Sequence, residues 1–122
     1  MTRWFPRTEP LIPDDLRDRV IENGRTSEVQ DGFDPFPVVK LFTPDAGCTW
    51  LLTELVPSDL DLGFGLCDLG LGYPELGYVS LKELMAVRGH LGLPVERDLD
   101  FTPTKTLTAY AEQARVDGRI LT

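Results

Sequence analysis

The sequence predicts an α+β fold, a small, mainly antiparallel sheet with about three helices packed against it. Three observations carry this. Pro44-Asp45-Ala46-Gly47 separates two β-rich runs and reads as a hairpin turn. Ser80-Leu81-Lys82-Glu83 has the form of a capping box that opens a helix. Helically spaced apolar residues recur near both ends of the chain, outside the β-rich middle. With 122 residues and 42% hydrophobic side chains, the chain has enough apolar material for one folded domain spanning residues 1–122.

The elements follow in order. Residues 1–8 read as an N-terminal arm, whose Trp4 and Phe5 are expected to pack on the body. A helix is predicted over 13–23. Pro13 suits its first turn, Asp14 and Asp15 favour its positive end, and Leu16, Val20 and Ile21 share a face. Gly24 suits its stop. Residues 25–37, with Gly32, Pro35 and Pro37, read as a loop. Val38–Phe42 and Cys48–Leu55 are the hairpin strands, and Pro57 to Asp61 is a polar connection. Leu62–Cys67 alternates large residues with glycine, which suits a strand whose glycine face lies against something close. Asp68 to Pro74 is a glycine-rich loop, and Leu76–Val79 is a short strand. Leu81, Leu84 and Met85 stripe the capped helix, which Gly89 is expected to end. A charged strand containing Val95, Leu99 and Phe101 follows Pro94. The last helix is predicted near 105–116, with Leu107, Tyr110, Ala111 and Ala114 on one face and Gly118 closing it.

Composition excludes several functions. No apolar run approaches the roughly 20 residues of a membrane span. Met1 to Pro6 lack the apolar core of a signal peptide, so a cytoplasmic location is expected. Lys and Arg number 12 against 20 Asp and Glu, a net charge of −8 that disfavours direct nucleic-acid binding. Cys48 and Cys67 lack CxxC spacing and are expected to be free thiols. His90 is the single histidine, expected in an exposed turn, so no multi-histidine metal centre exists. Neither Gly63-Phe64-Gly65 nor Gly70-Leu71-Gly72 completes a phosphate loop, and no cofactor is expected.

Charge is segregated. No basic residue lies between Lys40 and Lys82, whereas Asp45, Glu54, Asp59, Asp61, Asp68 and Glu75 do, and all six are expected to lack local partners. The stretch reads as a solvated acidic rim or as a docking surface for a basic partner. A divalent-metal site from Asp59, Asp61 and Asp68 is a further reading, although no calcium-loop spacing supports it. Asp59, Asp61 and Asp68 are expected in exposed loops. Glu96-Arg97-Asp98 is a compact triplet in which a strand would put both carboxylates on one face and Arg97 on the other. A buried Arg97 bonded to a carboxylate would cost about 2–4 kcal/mol on truncation.

Four blocks then become familiar: residues 39–44, 49–54, Pro74-Glu75-Leu76-Gly77-Tyr78 through Leu84, and Glu96-Arg97-Asp98-Leu99-Asp100-Phe101-Thr102-Pro103. With Phe64-Gly65 between them, the chain resembles the bacterial domain-of-unknown-function family 2958 over a family-like core of residues 38–107, with the leading helix included. The stretch from Tyr110 to Thr122 looks particular to this chain. The resemblance implies small bacterial proteins, many encoded on mobile genetic elements, and no established catalytic residues.

Within these blocks, Trp50 and Phe42 are expected to anchor the hairpin core. Gly77 would admit a close backbone beside Tyr78, whose ring would be buried. The candidate functional patch is a convergence of Trp50, Glu54, Glu75, Tyr78, Glu96, Arg97 and Asp98. The expected role is a non-enzymatic interaction or accessory factor whose partner is a protein with a basic surface. The alternatives are a divalent-metal hydrolase or nuclease-like enzyme using Glu54, Glu75, Glu96 or Asp98, and a nucleic-acid mimic.

Overall fold

Four β-rich runs between residues 39 and 80 build most of a five-stranded sheet, in a computed structural model that describes residues 10–122. The arm expected at residues 1–8, with Trp4 and Phe5, lies outside the described residues. The strands are β1 (Val39–Phe42), β2 (Thr49–Val56), β3 (Asp59–Asp68), β4 (Glu75–Ser80) and β5 (Glu96–Arg97). They lie in the order β4-β3-β2-β1-β5, and every pairing is antiparallel. The helices are α1 (Asp14–Val29), α2 (Leu81–Ala86) and α3 (Leu107–Asp117).

Two apolar layers enclose the sheet. Val20 of α1 and Leu84 of α2 cluster with Val39, Leu41, Trp50 and Leu52. Leu107, Tyr110, Ala111 and Ala114 of α3 pack with Leu51 and Leu66. Alternation along β2 thus sends Trp50 and Leu52 to one layer and Leu51 to the other. Trp50 is buried at the hairpin, as expected, and Phe42 is half-buried.

The predicted first helix is too short. α1 continues through Asn23 and Gly24 to Val29, so Gly24 is not its stop. Both residues instead fit α1 to β2. A β-bulge falls between Leu52 and Glu54, and the carbonyl of the intervening, fully buried Thr53 accepts from Asn23 Nδ2 at 2.9 Å. A Cβ at Gly24 would stand 1.9 Å from the Leu55 carbonyl oxygen. The glycine face predicted in β3 is confirmed at Gly65, where a Cβ would meet the Leu51 oxygen at 1.9 Å.

Other boundaries shift for local reasons. The polar connection shrinks to Pro57-Ser58, because Asp59 already pairs with Val56 and its Oδ1 accepts from the Asp61 amide at 3.1 Å. Ser80 Oγ caps α2 by accepting from the Glu83 amide at 3.2 Å. α2 ends at Ala86, before Gly89, which instead makes room for the Asp45 carboxylate. The strand after Pro94 is only two residues long, because the Asp98 carbonyl turns back to the Phe101 amide and its Oδ1 accepts from Asp100 at 2.9 Å. Leu99 is consequently exposed.

α3 starts two residues later than predicted. Thr106 is its cap, and Gly118 closes it in the left-handed region at φ 73°. Asp34 ties the preceding loop to this helix by accepting from the Thr108 amide and hydroxyl. Burial works against ionisation of Asp34, but the Thr108 bonds hold its carboxyl below the ordinary carboxylate value. Cys48 and Cys67 are free, and burial pushes the Cys67 thiol up to about 11. Among the described residues, no helix is long and apolar enough to cross a membrane.

Candidate functional site

The seven residues expected to converge do not form one patch. Glu75 and Tyr78 lie on β4 and Glu96 and Arg97 on β5, the two opposite edges of the sheet. Four strand spacings of about 4.8 Å separate those edges by roughly 19 Å. Trp50 is buried in the central strand β2. Glu54, also on β2, is half-buried and takes a hydrogen bond from Ser27 of α1. The carboxylates that the hydrolase reading would use are therefore spread over β2, β4, β5 and, for Asp98, the residue after β5.

The acidic stretch has partners, contrary to expectation, and they are amides and hydroxyls. Asp45 Oδ2 accepts from the Leu91 and Leu93 amides at 2.6 and 3.3 Å. Asp61 accepts from Ser80 Oγ at 2.5 Å and from the Lys82 amide at 3.0 Å. These bonds, Ser80 foremost, hold its carboxyl below the ordinary 3.8. Asp68 accepts from the Gly70 amide at 2.9 Å and the Ile120 amide at 3.0 Å.

Asp59, Asp61 and Asp68 are thus strand residues, not exposed-loop residues, and Asp68 is 4% exposed. Nine residue steps of about 3.3 Å put Asp59 and Asp68 roughly 30 Å apart along β3. The three cannot surround one ion. Glu75 remains at the open end of β4, exposed.

Glu54 supplies a pH-dependent test. Burial pushes its carboxyl above the ordinary 4.5, and the Ser27 bond offsets part of that rise. A carboxyl raised in the folded state is stabilising when protonated, so its ionised form weakens the fold above that raised value. Below 4.5 the folded and unfolded forms are both protonated and the difference vanishes. Glu54→Gln is therefore expected to raise the melting temperature at pH 7 and to match the wild type below about pH 4. Equal melting at both pH values would show that Glu54 is solvated.

At the β5 edge the triplet separates. Asp98 pairs with Lys40 at 3.4 Å, while Glu96 is exposed. Arg97 forms no ion pair among the described residues, so the condition for a buried Arg97–carboxylate pair is not met. It lines an open cleft of about 290 Å³ with Arg19, Lys40, Asp98, Leu99 and Phe101. Arg97→Ala should change stability by less than about 0.5 kcal/mol. A large loss in thermal melting would restore that pair.

The β3–β4 hairpin was missed as a site. Leu69, Leu71, Tyr73, Leu76 and Tyr78 are 56%, 73%, 81%, 43% and 64% exposed. The expectation of a buried Tyr78 is overturned, because β4 is an edge strand. Its ring leans on Phe64, with centroids 5.0 Å apart and planes at 58°. Gly77 admits no close neighbour either, for a Cβ there would meet nothing within 4 Å. The sequence did carry a signal, since five large apolar residues fall among the glycines of residues 69–78.

The DUF2958 sequence model, described as a protein of unknown function, matches residues 11–121. The chain belongs to the DUF2958 family. Family DUF2958 thus extends well beyond the expected core of 38–107. It takes in the leading helix α1, as the resemblance implied, and also α3 with the stretch after Tyr110 that looked particular to this chain. No curated protein and no solved structure matches this DUF2958 member.

Proposed function

We propose that this protein is a non-enzymatic interaction module that docks a partner with a basic surface through its β3–β4 hairpin. One observation carries the reading, namely that Leu69, Leu71, Tyr73, Leu76 and Tyr78 are all exposed on a single hairpin. Scattered exposed hydrophobics need no explanation, but a contiguous group favours a covered surface. The charge of the partner is read from the hairpin's own residues 59–80, which include Asp59, Asp61, Asp68 and Glu75 and no lysine or arginine. Glu75 is exposed beside the turn and the hairpin itself carries no basic residue, so its turn presents negative charge to a basic surface. Family resemblance suggests a mobile genetic element as the setting for such an accessory role.

The test is affinity capture from a bacterial extract with the wild type and with Leu71→Ser/Tyr73→Ser. Both positions are loop residues that are at least 73% exposed, so the fold should be kept. A true partner should be lost at least about tenfold from the double variant, the equivalent of about 1.4 kcal/mol. Its capture by the wild type should also fall as salt rises. Equal capture by both proteins, or capture indifferent to salt, sinks the reading.

A further inference from the structure

Of the two sheet edges, β5 is two residues long, too short to template another strand. β4 is six residues long and pairs with β3 without interruption from Glu75 to Ser80. It ends the strand order, so no other strand pairs with its outer side among the described residues. Natural sheets blunt such edges with lysine, proline, a bulge or brevity. Glu75-Leu76-Gly77-Tyr78-Val79-Ser80 contains no lysine, arginine or proline, and its pairing with β3 shows no bulge. Glu75 alone could serve as a guard, and it stands at the end of the strand.

Gly77 sharpens the point. Gly24 and Gly65 are required by backbones packed against them, whereas Gly77 has an ordinary φ and open space where its Cβ would be. A mid-strand glycine weakens a strand, and commonly marks the close approach of a ligand or another backbone. Nothing described in this chain makes that approach.

We propose that the outer edge of β4 accepts an extended segment of the partner as a sixth strand, a segment in which basic and apolar residues alternate. The proposal rests on the docking reading and names the form of the partner. Period-two geometry sets the pattern. Leu76 and Tyr78 share one face of β4, and Glu75, Gly77 and Val79 share the other. Apolar side chains of the added strand cover Leu76 and Tyr78. Its lysines or arginines lie on the Glu75 face, where the hairpin has no cation of its own. Alternate residues of β4 turn their backbone groups outward, so an antiparallel addition gains about six hydrogen bonds. Main-chain bonding then supplies affinity and the alternation supplies selectivity.

The probe is a synthetic ten-residue peptide of alternating valine and lysine, titrated against the intact protein. Binding and the exchange of individual backbone amides are followed by NMR. The expected result is exchange slowed at least about tenfold at the outward-facing amides of residues 75–80. Full N-methylation of the peptide, which removes every donor and crowds the acceptors, should weaken binding at least about tenfold. Tyr78→Lys, an exposed change that guards the edge, should do the same. Failure of the peptide to bind, or binding with exchange at 75–80 unchanged, overturns strand addition. The docking reading stands on its own if Leu71→Ser/Tyr73→Ser still loses the captured partner. Exchange at β4 that slows with protein concentration alone would assign the edge to a second copy of this chain and also overturn the proposal.

Discussion

Replacing Gly24 with alanine is expected to lower folding stability by about 3 kcal/mol, the upper part of the range for overpacking. In an unpacked helix interior the same change raises stability by about 1 kcal/mol, so the sign alone is informative. At position 24 a Cβ would stand 1.9 Å from the Leu55 oxygen, 3.1 Å from its carbonyl carbon and 3.2 Å from Pro57 Cδ. These are backbone and ring atoms, and none can swing aside. Relief requires α1 to lift from β2, which would stretch the 2.9 Å bond from Asn23 to Thr53. It would also loosen Val20, which is fully buried. Urea unfolding provides the measurement, with Gly77→Ala as the control. Open space and an ordinary φ at Gly77 predict a neutral or stabilising change of up to about 1 kcal/mol there. A Gly24→Ala protein as stable as the wild type would refute the close approach.

Asp68→Ala is expected to cost a further large amount, about 3 kcal/mol, for a different reason. Its two oxygens accept from the Gly70 and Ile120 amides at 2.9 and 3.0 Å, and the residue is 4% exposed. Bonds to a charged acceptor contribute about 1.5–3 kcal/mol each, and part of the loss is recovered if the freed amides reach water. One of those bonds joins the end of β3 to the chain after α3, so the loss is local as well as global. Ile120 packs against the Leu51–Tyr110 layer and would lose its tether. Denaturant unfolding should show the stability change, and trypsin should cleave after Arg119 faster than in the wild type. Asp68→Asn keeps the shape but replaces one acceptor oxygen with an amide NH2 donor, so an intermediate loss is expected. If Asp68→Ala melts with the wild type and resists trypsin equally, the clamp contributes nothing. The same geometry means that neutralising Asp59, Asp61 and Asp68 together would damage the fold before it tested any docking surface.

Much of the fold was legible because its signals are local. The capping serine of α2, the proline–glycine hairpin turn and the glycine closing α3 each work through contacts a few residues apart. Sequence spacing reports such contacts directly. Boundaries failed where a distant group decided them. Gly24 carries the local mark of a helix stop, yet the Thr53 bulge and the Leu55 carbonyl keep the helix running over it. Asp45 carries the mark of a turn residue, yet its carboxylate is used 46 positions away at Leu91.

The site divides along the same line. The sequence by itself determined that residues 41–81 would carry acids without cations, and that Leu69 to Tyr78 would bring large apolar residues among glycines. It also determined an α+β chain with an antiparallel hairpin at its centre. Only the tertiary structure decided which strands are edges. That choice exposes Tyr78, buries Asp68 and separates Glu75 from Arg97 by the width of the sheet. The physical reason is that strand order depends on which faces α1, α2 and α3 cover. A two-residue period specifies the two faces of a strand but not its neighbours.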